Sequence, residues 1–82
     1  MYEKEMKSIS DLMKKRLEEK HAKHGDEWKI VSIEQLQEAI DFIHGIYHKR
    51  KNTDKEIIAL TDIANQAMLL CLRLKSNKDV LE

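Results

Sequence analysis

Apolar residues recur along this chain at helical spacing in three blocks, separated by short polar breaks. In the first block Met6, Ile9, Met13 and Leu17 lie three or four residues apart, the pattern of an amphipathic helix. It predicts a helix over residues 3–24, closed by Gly25 in a left-handed cap. The stripe is narrow, which suits a long helix laid against something larger, its N-terminal turns extending beyond the core. A loop, GDEWKIV, carries the only Trp. Ser32 then stands three residues before Gln35, a capping-box pattern. Ile33, Leu36, Ile40, Ile43 and Tyr47 continue a second helix over 32–50, whose cationic end HKRKN suits the negative end of the dipole. Thr53 with Glu56 repeats the capping pattern and opens a third helix over 53–75, and the tail 76–82 is expected to fray.

The short turn between the second and third helices predicts an antiparallel hairpin with the first helix packed beside it. The third helix is unusual, because Ile57, Leu60, Ala64, Ala67, Met68, Leu70, Cys71 and Leu74 surround it on several sides. Such a helix belongs in an interior. The expected architecture is therefore an all-α bundle completed by oligomerisation, as a homodimer or higher homo-oligomer. Within this helix Ile58, Asp62, Asn65 and Leu69 form one stripe, which sets two polar groups among apolar neighbours. A buried carboxylate there needs a metal, a cationic side chain or a hydrogen bond from a neighbouring helix.

Composition sharpens this picture without changing it. Eighty-two residues make one domain, 1–82, and a chain of that size buries only roughly 60–65% of its unfolded surface, which again favours association. There is no Pro and there are two Gly, as in a helical protein. Fifteen Lys plus Arg balance fifteen Asp plus Glu, so no net field draws the chain to nucleic acid or an anionic membrane. The single Cys71, inside an apolar run, reads as a buried small hydrophobe and excludes an intrachain disulfide. The N-terminus lacks the apolar core of a signal peptide, and no uninterrupted apolar stretch approaches the ~20 residues of a membrane span. A cytoplasmic setting with no membrane partner is expected.

The KHGDEW loop, the capped amphipathic helix, the short turn and LTDIANQAMLLCLRL together resemble the MazG-like all-α nucleoside triphosphate pyrophosphohydrolases, over roughly residues 17–74. The resemblance implies a helical bundle in which Glu-x-x-Glu on one helix and Glu-x-x-Asp on the next hold magnesium against a nucleoside triphosphate, while water attacks and pyrophosphate leaves. Carboxylates at i and i+3 share a helical face, so two facing helices offer a cage of hard oxygen ligands to a hard cation. Here Asp62 and Asn65 match the pattern, but Ala59 stands where the Glu of Glu-x-x-Asp belongs.

Two registers are open for the second helix. With Leu36, Ile40 and Ile43 in the core, Ala39 and Phe42 replace the two Glu, and Phe42 is expected to pack near Ala59 in the former metal pocket. Rotating the helix by about 100° instead presents Glu38 and Asp41 beside Asp62, an active magnesium site, but it turns Ile40 and Ile43 partly outward. Full exposure costs about 1.5–3 kcal/mol per Ile, which favours the first register. The expectation is a degenerate family relative, non-catalytic or weakly active, acting through oligomeric assembly or through nucleotide or partner binding. In the alternative, Glu38, Asp41 and Asp62 hold magnesium, and Asn65, Lys49 and Arg50 contact a nucleotide.

Other candidates carry less. His44 and His48, one turn apart with Asp41 at i−3 from His44, have the spacing of a transition-metal pair, on a face that is otherwise solvated and polar. His21 and His24 suit a helix C-terminus. The runs Lys14–Arg16 and His48–Lys51 present cations for phosphate or for a partner, the basis of a third reading as a helical adaptor or regulator. With one Phe and one Trp there is no aromatic platform for stacked bases, which argues against nucleic acid. Trp28 either closes the end of the bundle or forms a wall for a nucleobase.

Overall fold

A computed structural model describes the backbone of residues 1–81 and the side chains of residues 1–76. Three helices, α1 (Glu3–His24), α2 (Ile33–Arg50) and α3 (Glu56–Leu81), follow in order, with a single 3-10 turn (Glu27–Lys29) between the first two. No strand occurs among the described residues. The fold is thus a helical hairpin of α2 and α3 with α1 laid against α3.

Local chemistry explains the boundaries. Gly25 ends α1 with φ 61° and ψ −139°, a combination essentially open to glycine alone, and its N–H closes the helix on the His21 carbonyl at 2.8 Å. Ser32 caps α2 reciprocally: its Oγ accepts from the Gln35 N–H at 3.0 Å, and Gln35 Oε1 accepts from the Ser32 N–H at 3.0 Å. Such a cap is worth about 1 kcal/mol.

The start of α3 differs from the expected 53. Thr53 Oγ1 is engaged in the turn, donating to the Arg50 carbonyl and accepting from the Lys55 N–H, and Asn52 adopts φ 65°, a left-handed conformation that Asn tolerates well. The chain is therefore still turning through residue 55, and the helix opens at Glu56. At its other end α3 runs past residue 75 to Leu81 instead of fraying from 76. Neither Gly nor Pro occurs after residue 45 to stop it. Glu82 lies outside the described residues.

Glu56 also locks the hairpin. Its carboxylate accepts from the Asn52 N–H at 3.0 Å and from the Tyr47 hydroxyl at 2.9 Å. These bonds, the Asn52 one foremost, hold its pKa below the ordinary 4.5, and the same carboxylate pushes the Tyr47 phenol upward. A lowered carboxylate pKa contributes stability that is complete above 4.5 and is lost as pH falls through the folded-state value. Acid titrations of unfolding should therefore show a difference between the wild type and Glu56→Gln that is constant above 4.5, shrinks as pH falls below 4.5 and levels off below the folded-state value; a difference that grew toward low pH would contradict this assignment.

The covered core is small: among the described residues Leu36, Ile43 and Ala59 are buried apolar side chains, joined by Thr61, Asp62 and Asn65. Thr61 returns its hydroxyl to the Ile57 carbonyl at 2.8 Å. The radius of gyration is 13.9 Å, against about 11.7 Å for a compact chain of this length. Part of that excess is α1, whose first turns through Asp11 are exposed. The far side of α3 is exposed as well. By length and composition Glu56–Ser76 could cross a membrane, at a mean hydropathy of 1.5, although Asp62 interrupts it.

Candidate functional site

The polar stripe of α3 meets α1. Asp62 is buried and receives a two-pronged ion pair from Arg16, Nη2 to Oδ2 at 2.9 Å and Nε to Oδ1 at 3.0 Å. Side-chain exposure is 25% for Arg16 and 12% for Asp62. This fork-on-carboxylate geometry uses both oxygens of Asp62 and the Nε–Nη2 edge of the guanidinium plane. Lys20, one helical turn further along α1, reaches Oδ1 at 3.9 Å, and Glu19 holds Arg16 from the solvent side at 2.8 Å. The hydrogen bond to Asp62 is the main reason that the Arg16 pKa is raised, with burial acting in the opposite sense.

Asn65, one turn along α3 from Asp62 and 1% exposed, donates its Nδ2 to the Met13 carbonyl of α1 at 3.0 Å. Its Oδ1 is buried without a protein partner among the described residues, a condition that costs about 1–3 kcal/mol. Two side chains of α3 thus grip one turn of α1, Met13 to Arg16, through a charge and an amide. They fix the position of α1 along α3, engaging both oxygens of Asp62 and the amide nitrogen of Asn65.

Of the expected cage, the other members stay apart. Glu38 and Asp41 are exposed on α2. Among the described residues no three His, Cys, Asp or Glu side chains come together as a metal site, and Asp62 has cations for neighbours. Leu36 and Ile43 are buried and Ile40 is half-buried, so α2 adopts the register with its isoleucines inward.

Phe42 departs from expectation. It is 70% exposed, while Ala59 is almost fully covered. Phe42 therefore does not fill the space beside Ala59; it lies on the solvent-facing side of α2, which turns Leu36 and Ile43 inward. Cys71 likewise is exposed, because its face of α3 points away from both other helices.

His44 and His48 are exposed and stand edge to face with ring centroids 5.9 Å apart. Lys49 is exposed and Arg50 half-buried at the end of α2, and neither pairs with Asp62, whose cations are Arg16 and Lys20. Comparison of the chain with protein families, curated proteins and solved structures returned no match.

A cavity of about 620 Å³ opens between the end of α1, the 3-10 turn, the start of α2 and the middle of α3. Leu17, Trp28, Leu36 and Leu69 supply apolar lining, and Lys20 joins them from α1. The loop that carries Trp28 is held by Arg73 of α3, whose Nη1 donates to the carbonyls of Trp28 and Val31, each at 2.7 Å. Arg16, expected within the run Lys14–Arg16 to offer a cation to phosphate or a partner, is engaged by Asp62 instead, and Arg73 stood outside every expectation. Arg16 had a signal, since it is three residues from Met13 and four from Lys20 on the face that meets α3; Arg73 had none, because its acceptors are backbone carbonyls.

Proposed function

We propose that this chain is a MazG-like relative without a working magnesium cage, which acts by assembling with copies of itself into a larger helical bundle. The observation that carries the reading is the ion pair between Asp62 and Arg16. A guanidinium on both oxygens does electrostatically what a divalent cation does in a carboxylate cage, and it is covalently tethered to α1, so Asp62 is satisfied within the fold. Ala59 supports the same reading, because it stands where a second carboxylate of α3 belongs.

The test is calorimetric titration of magnesium with a non-hydrolysable nucleoside triphosphate, paired with sedimentation. The expected outcome is no saturable, magnesium-dependent heat at millimolar ligand and a particle of about twice the 9.7 kDa chain mass or more. Magnesium-dependent saturation would return Glu38, Asp41 and Asp62 to metal duty and overturn the proposal.

The cavity beside Trp28 favours a second reading, a binding site for a small apolar or planar molecule, since its volume falls within the usual 300–1,000 Å³ of ligand pockets. Its signature is metal-independent binding that alters Trp28 fluorescence.

A further inference from the structure

The bare face of α3 has a pattern of its own. Ile57, Leu60, Ala64, Ala67, Cys71 and Leu74 alternate at spacings of three and four residues, the seam of a coiled coil, over about 26 Å of helix. All are exposed except the half-buried Ala64; Ile57 is 62% exposed. Asp62 is the one charged residue between Ile57 and Leu72, and it faces α1. Nothing among the described residues covers this seam.

We infer that the seam pairs with the same seam of a second copy, antiparallel and about a two-fold axis between Ala64 and Ala67. This rests on the self-assembly reading and adds its surface, direction and register. The first reason is that the stripe is palindromic in size. Run antiparallel, Ile57 meets Leu74 of the partner subunit, Leu60 meets Cys71 of the partner subunit, and Ala64 meets Ala67 of the partner subunit. Large side chains then close both ends while the alanines let the backbones approach toward the short end of the 8–10 Å range of helix packing. An isologous contact requires such self-complementarity.

The second reason is charge. The antiparallel register sets Glu56, in the first turn of α3, opposite Lys75 of the other copy, and it opposes the two helix dipoles. A parallel pair would place like ends together.

The third reason is area. The chain exposes 6579 Å², whereas a folded monomer of its mass exposes about 5,100 Å². Over two copies the excess is roughly 3,000 Å², the ceiling on what pairing can hide, and that ceiling reaches the range of permanent homodimers. The projecting first half of α1, with Met6 and Ile9 exposed, contributes to the same excess.

Cys71, the chain's one cysteine, makes the register testable. Oxidative cross-linking is compared between the wild type and Leu60→Cys, followed by non-reducing electrophoresis and sedimentation. Residues 60 and 71 lie about 16 Å apart on one helix, too far for an intrachain bridge. The antiparallel register predicts at least tenfold more covalent dimer from Leu60→Cys than from the wild type. The variant Ala64→Cys, Ala67→Cys, Cys71→Ser gives an independent check at the axis and should also cross-link.

Efficient cross-linking of the wild type would mean a parallel seam and overturn the inference. A sedimenting dimer that neither variant cross-links would place the contact elsewhere and leave the self-assembly reading standing. A monomer would sink both. Flotation of the chain with phosphatidylcholine vesicles would assign the apolar face to a lipid surface instead, overturning the inference as well.

Discussion

Asp62→Ala should lower the midpoint of thermal unfolding by roughly 10–20 °C, at a fixed protein concentration, because the substitution leaves the Arg16 guanidinium part-buried without its main acceptor. Breaking a fully buried ion pair costs about 3–5 kcal/mol. Residual solvent on Arg16 and the surviving bond to Glu19 at 2.8 Å reduce this to about 2–3 kcal/mol. The diagnostic companion is the double replacement Arg16→Met with Asp62→Leu. Apolar side chains of similar size avoid the desolvation of both charges, so the pair should unfold within about 1 kcal/mol of the wild type. A double variant as weak as the single one would mean that the carboxylate serves something other than the contact between α1 and α3. So would an Asp62→Ala protein of unchanged stability.

The second large effect concerns association. Ala67 is exposed in the single chain, where a surface substitution usually changes folding stability by no more than about 0.5 kcal/mol. Ala67→Glu should accordingly keep the helical content and midpoint of the isolated fold. Against a second α3 it places two carboxylates near the two-fold axis, in the narrowest part of the seam and away from water. Self-association should weaken by at least about 100-fold, which corresponds to roughly 2.7 kcal/mol. Sedimentation across a dilution series reads this directly. An unchanged dissociation constant would exclude this face of α3 from the contact.

The two effects separate the halves of α3. One face, with Asp62 and Asn65, is polar in sequence yet covered, and the opposite face is apolar in sequence yet bare. In a small chain this inversion makes sense only if different forces act on each side. Directional charge and amide contacts set where α1 lies, and undirected apolar area remains for association.

Much of the architecture was legible in the residues because it depends on neighbours a few positions apart. The reciprocal bonds of Ser32 and Gln35 are encoded in a four-residue spacing, and the end of α1 in a Gly whose backbone no other residue adopts easily. The register of α2, with Leu36 and Ile43 inward, followed from the cost of exposing isoleucine. The boundaries of α3 were harder, since Thr53 and Glu56 suit a capping box but are drawn into competing bonds with Arg50, Asn52 and Tyr47.

What the sequence determined by itself, then, is three helices, their hairpin order and the need of Asp62 for a partner. Which partner was decided by tertiary structure alone. Arg16 and Asp62 are 46 positions apart, and the run Lys14–Arg16 looks the same on paper whether it faces solvent, phosphate or a carboxylate. The fate of Phe42 and Cys71 was equally beyond a one-dimensional pattern. Periodicity states which residues share a face, but only the placement of the other helices decides which faces are covered, because burial is a property of three-dimensional packing and not of spacing.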